Sequence, residues 1–96
     1  MPTDTQLRAA LEKVLRHVQA TSGQECPPIV DMTRPIGDLA AFDSLMAVEA
    51  TVLLEEELNC KIADGSPFIS ANGKRALTVA EAVERLGKMI TEPRAA

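Results

Sequence analysis

The chain has 96 residues, 10 of them Lys or Arg and 14 Asp or Glu, for a formal charge of −4 and a pI near 4.9. That length predicts one domain with a modest core, and a composition 46% hydrophobic but only 2% aromatic builds it from Leu, Val, Ile, Ala and Met, which favours helices over sheet. An acidic chain without Trp or Tyr argues against nucleic acid as a partner and leaves proteins with basic patches as the expected ones.

Thr3-Asp4-Thr5-Gln6 has the spacing of a capping box, and Leu7, Ala10, Leu11, Val14, Leu15 and Val18 recur behind it at helical period. This pattern predicts a first helix with one apolar stripe, and with Arg8, Glu12, Lys13, Arg16 and His17 on its solvated face. Gly23 and the pair Pro27-Pro28 end the helix and open a long connection reaching Phe42. Pro35 and Gly37 keep that connection irregular, while Ile29, Val30, Ile36 and Leu39 offer apolar anchors. Connections longer than about a dozen residues are uncommon in small domains and tend to be functional.

A second helix is predicted from Ser44 to Leu58, with Asn59 as terminator. The irregular stretch 63–76 contains Asp64-Gly65-Ser66-Pro67 and the turn signal Asn72-Gly73. Ser66 and Pro67 suit the start of a single helical turn through Phe68 and Ile69. Thr78-Val79-Ala80-Glu81 repeats the capping-box spacing and starts the last helix, with Val79, Ala82, Val83, Leu86, Met89 and Ile90 as its buried stripe. The expected fold is all-α: a small four-helix bundle of three long helices and one short, with a long first loop. The chain reads as a single domain over 1–96, ordered over about 3–91, with 92–96 as a frayed tail.

Cys26 and Cys60 lie far apart and His17 is the only histidine, so no metal site is expected. With no apolar leader and no run able to span a bilayer, a soluble cytoplasmic monomer with reduced thiols is expected. Cys60, between Leu58 and Ile62, suits core packing.

At about 100° per residue the second helix has two apolar surfaces. Ala47, Ala50, Leu53, Leu54 and Leu58 form the core side. Leu45, Val48 and Val52 lie elsewhere, interleaved and flanked by Glu49, Glu55 and Glu56. An aliphatic stripe rimmed by acids suits docking to a partner with basic residues around an apolar groove. At its head stands Ser44. A serine at a helix start is ordinarily the cap, but Asp43 can hold that role here. The Ser44 hydroxyl is then free at the first helical position, open to modification or to nucleophilic work. The nucleophile reading needs a base and an oxyanion hole. His17 sits on a polar helical face and no Gly-x-Ser-x-Gly elbow is present, so no enzyme is expected.

At these residues the chain resembles the acyl carrier proteins. Asp38-Leu39, a short gap, then Asp43-Ser44-Leu45 opening an acidic helix looks like that family's phosphopantetheine attachment motif. Val48-Glu49 and Glu55-Glu56-Glu57-Leu58 fall in its register, and the resemblance covers roughly Pro35 to Ile62. It implies a 4'-phosphopantetheine on Ser44, moved there from coenzyme A by a phosphopantetheinyl transferase, with Asp43 and Leu45 as the flanking site residues. It further implies acyl thioesters on the arm, presented to acyl-loading and acyl-processing enzymes of fatty-acid, polyketide or related specialised lipid biosynthesis. Their basic patches would dock on Val48, Glu49, Val52, Glu55 and Glu56. A helix start suits the linkage because the helix dipole favours the new phosphate's charge. The transferase brings magnesium and base, so none is needed here.

Ala40-Ala41-Phe42 fills the gap where the family commonly has a glycine, and is one residue longer. Met46 stands where an acidic or polar residue is frequent, and the stretch 63–76 adds Lys74 and Arg75. These departures favour a specialised carrier. The alternatives are an aminoacyl or peptidyl carrier, which Asp43 before the serine disfavours, and an unmodified helical interaction module.

Overall fold

Thr3 starts the first helix by closing a capping box: its hydroxyl oxygen accepts from the Gln6 N–H at 3.2 Å, and the Gln6 side chain accepts from the Thr3 N–H at 2.9 Å. The protein is described by a computed structural model over residues 3–40, 42–62, 65–70 and 72–93. Its elements in chain order are α1 (Asp4–Thr21), α2 (Pro35–Asp38), α3 (Ser44–Leu58), β1 (Cys60–Ile62), α4 (Val79–Met89) and β2 (Ile90–Pro93). The fold is predominantly helical. α1 packs against both α3 and α4, burying the stripe Leu7, Ala10, Leu11, Val14, Leu15 and Val18. α4 begins at a second capping box, in which Thr78 and Glu81 serve each other, and buries Val79, Ala82, Val83, Leu86 and Met89. Asn59 ends α3 in the left-handed conformation, φ 53° and ψ 44°, which asparagine tolerates better than most residues.

Two expectations require correction. The short helix is α2, inside the first connection, and not at 66–69. Pro35 opens it with φ already suited to a helix start, and the Asp38 carboxylate accepts from the Arg34 N–H at 2.8 Å. Gly37 sits at φ 118°, a conformation closed to side-chain-bearing residues, so the turn does not propagate. Residues 66–69 instead deliver Phe68 to the core. The Phe68 carbonyl accepts from the Leu77 N–H at 2.9 Å, Ile69 bridges Ala76, and Ser70 N–H donates to the Arg75 carbonyl at 2.8 Å. A backbone paired in this way cannot also close a helical turn. The buried Phe68 ring meets Phe42 edge to face, with centroids 5.3 Å apart.

The second correction is to the C-terminal tail: the molecule is mostly helical as expected, with one short two-stranded ladder among the described residues that takes in the start of that tail. β1 and β2 pair antiparallel, Cys60 opposite Pro93 and Lys61 opposite Glu92, with a register shift between Lys61 and Ile62. Residues 92 and 93, expected in the tail, belong to this ladder; the rest of that tail, 94–96, lies outside the described residues. Among the described residues no helix is long and apolar enough to cross a membrane.

Candidate functional site

Ser44 is delivered by a connection pinned to the core at several points. Ile29, Leu39 and Phe42 are buried in it, and the Phe42 N–H donates to the Leu39 carbonyl at 3.3 Å. The connection also holds α4, since Thr33 and Asp31 carbonyls accept from the Val79 and Ala80 N–H groups at 2.7 and 3.0 Å. Arg8 pairs with Asp31 at 2.7 Å and ties the same stretch to α1. Closer to the serine, the Gln19 side chain, wholly buried on α1, donates from Nε2 to the Ala40 carbonyl at 2.8 Å.

Asp43 is the N-cap of α3. Its Oδ1 accepts from the Met46 N–H at 3.0 Å, and its carbonyl accepts from the Ala47 N–H at 2.9 Å. Ser44 therefore occupies the first helical position, exposed, and its hydroxyl has no hydrogen-bond partner among the described residues. Asp43 does the capping that would otherwise engage it.

The two surfaces of α3 separate as expected. Ala47, Ala50 and Leu54 are buried, while Leu53 and Leu58 pack against the core at its edge. Leu45 is 76% exposed, Val48 61% and Val52 49%, the three standing on one side of the helix below Ser44. Glu49 and Glu56 are exposed beside them and make no ion pair among the described residues. Glu57, by contrast, is held by Lys13 at 2.9 Å. Glu55 departs from the expected docking face. It is half-buried, and its Oε2 accepts from the Ile62 N–H at 3.0 Å, tying α3 to β1. At about 100° per residue it lies at the margin of the stripe, near enough to β1 to be drawn away.

His17 lines a shallow depression on the α1–α3 seam with Lys13, Leu53 and Glu56. Glu56 is twelve residues along the helix from Ser44, about 18 Å. Lys74 is exposed on its turn, and Arg75 turns back to Glu81 at 2.8 Å. Among the described residues no cluster of three His, Cys, Asp or Glu side chains is placed to hold a metal ion. Sequence reasoning missed Gln19. A glutamine at the edge of an apolar stripe gives no sign that it will be buried, and only the partner carbonyl at Ala40 explains it.

No protein-family model matches this chain, no curated protein matches it, and no solved structure matches it.

Proposed function

We propose that this chain is an acyl carrier protein whose Ser44 bears a 4'-phosphopantetheine arm. The observation that carries the reading is the unengaged Ser44 hydroxyl, exposed at the first position of α3 with its capping role taken by Asp43. Attachment asks for a reachable hydroxyl at a site that tolerates a phosphate. The first turn of α3 fits: Met46 and Ala47 N–H groups are taken by Asp43, while those of Ser44 and Leu45 have no acceptor among the described residues. The N-terminal donors of α3 and the helix dipole favour a negative group on Ser44 Oγ.

In the transfer, Ser44 Oγ attacks the phosphorus of coenzyme A that bears the pantetheine. A phosphodiester bond forms and the pyrophosphate P–O bond breaks, releasing adenosine 3',5'-bisphosphate. The serine proton passes to the transferase's base. The arm, once attached, supplies a terminal thiol that holds acyl groups as thioesters. The chain's own contribution is to present Ser44 at the head of a stripe that partners can grip. Leu45, Val48 and Val52 give the apolar contact, and the unpaired Glu49 and Glu56 attract basic residues around it. Phosphopantetheinyl transferases and the acyl-loading and acyl-processing enzymes of lipid or polyketide synthesis are the partners this surface suits. The role is that of a carrier and not of a catalyst, in the cytoplasm, as one α-helical bundle per molecule.

Incubating the protein with coenzyme A and a broad-specificity phosphopantetheinyl transferase should add one phosphopantetheine by intact mass, and Ser44→Ala should add none. Wild-type protein left unmodified by several transferases would leave an interaction module, with the α3 stripe as its only asset, and would overturn the carrier reading.

A further inference from the structure

Gln19 is the anomaly of the core. It is wholly buried in the last part of α1, next to the buried Val18 in sequence. Its Nε2 donates to the Ala40 carbonyl at 2.8 Å, yet its Oε1, equally buried, has no partner among the described residues. An amide buried with one half unsatisfied costs more than a leucine of similar volume in the same place. For stability alone, an apolar side chain is the better occupant. What the glutamine supplies is its donor, and the donor reaches a backbone carbonyl four residues before Ser44. On either side of Ala40, Leu39 and Phe42 are anchored by apolar contact, which resists withdrawal from the core but not sliding along it. The Phe42–Leu39 backbone bond is local to the stretch; the directional contact that ties it to α1 among the described residues is the Gln19 bond.

We infer that Gln19 is a positioning residue for Ser44: its buried amide holds the Ala40 carbonyl and thereby sets where the Asp43 cap and the first turn of α3 begin. The inference deepens the carrier reading and rests on it for its consequence in catalysis, though not for its consequence in structure. With the bond present, the cap bonds from Asp43 to Met46 and Ala47 form at a fixed place relative to α1, and Ser44 Oγ meets a transferase in one arrangement. Without it, the docking stripe on α3 is unchanged, since Val48, Val52 and Glu56 lie one to three turns further on. Loss of Gln19 should therefore lower kcat for Ser44 modification and leave KM for the carrier alone.

The test compares wild type with Gln19→Leu, and with Val18→Ala as a variant that weakens the same turn of α1 but keeps the amide. Hydrogen exchange should show the Phe42, Met46 and Ala47 amides of Gln19→Leu opening about fivefold more readily, the size of one net hydrogen bond, with Leu11 and Val83 no less protected than in wild type. Val18→Ala should not single out those three amides. In the transferase assay Gln19→Leu should lose several-fold in kcat at constant KM, and Val18→Ala neither. If Gln19→Leu fails to fold, Gln19→Met takes its place with the same expectations. Unchanged protection at Phe42, Met46 and Ala47 overturns the inference about Gln19. Unchanged kcat with altered protection overturns its catalytic consequence. Failure of wild type to be modified overturns the carrier reading, and the exchange data still decide whether Gln19 positions the segment.

Discussion

Glu81 serves two partners at once. Its Oε1 accepts from the Thr78 N–H at 3.0 Å, completing the capping box of α4, and the Arg75 guanidinium grips both its oxygens at 3.1 and 2.8 Å. The Arg75 hydrogen bonds, and after them the Thr78 N–H, lower its carboxyl from the ordinary 4.5 to about 2. A carboxyl whose value is depressed in the folded protein contributes stability above its unfolded value, and loses it as pH falls through the folded one. The stability of wild type should accordingly fall more steeply than that of Glu81→Gln as pH drops from about 4.5 to about 2, the advantage at neutral pH shrinking across that window. Urea unfolding at a series of pH values measures it; parallel acid limbs would mean that Arg75 and Thr78 contribute nothing through this group. The Thr78–Glu81 half of the arrangement is legible in sequence because it spans a single turn. The Arg75 half is not. It depends on the Ser70–Arg75 turn bringing a side chain back over the start of α4.

At the scale of elements, α3 is two helices in one: a core helix on one side and an exposed aliphatic strip on the other. Periodicity separates these faces without any structure, since positions three and four apart must share a side. Leu54→Ala, at a fully buried site, should cost about 2–5 kcal/mol in chemical denaturation. Val52→Ala, about half exposed, should cost less than about 1 kcal/mol. Equal losses would mean the exposed strip is in fact packed. Glu55 shows where periodicity stops being sufficient. On the helix it is a flanking acid like Glu49, but the Ile62 N–H of β1 stands beside it and takes its carboxylate. A backbone donor left without a partner at a strand margin is costly, so the side chain that can reach it is drawn in.

For the whole molecule the distribution of charge matters more than its sum. Lys13, Arg16, Arg8 and Arg75 are each tied to an acid of the same chain, whereas Glu49 and Glu56 on the α3 strip have no ion-pair partner among the described residues. These two unpaired acids put part of the formal charge of −4 on the proposed docking face. Reversing both acids, with Glu49→Lys and Glu56→Lys together, should slow modification of Ser44 sharply at low salt, and the gap to wild type should narrow as salt rises. The helical CD spectrum should stay the same. Val48→Asp should impair modification at every salt concentration, because it removes apolar contact. A doubly reversed variant modified as fast as wild type at low salt would reduce the two glutamates to a solvated edge.

The starts of all three long helices, the end of α3 at Asn59, the burial of the α1 and α4 stripes and the exposure of Ser44 follow from sequence by itself. Each depends on groups within about four residues of one another, a cap and its amide or one turn and the next, so the local order of residue types is enough. The place of the short helix, the pairing of Cys60 with Pro93, the route of Phe68 into the core and the burial of Gln19 were decided only by tertiary structure. Each joins groups distant in sequence whose polar atoms or apolar surface find partners only after α1, α3 and α4 have packed. Phe68 illustrates the reason. Its local sequence suits a helical turn, but burying its ring against Phe42 and pairing its carbonyl with Leu77 satisfies more surface and more backbone than the turn would.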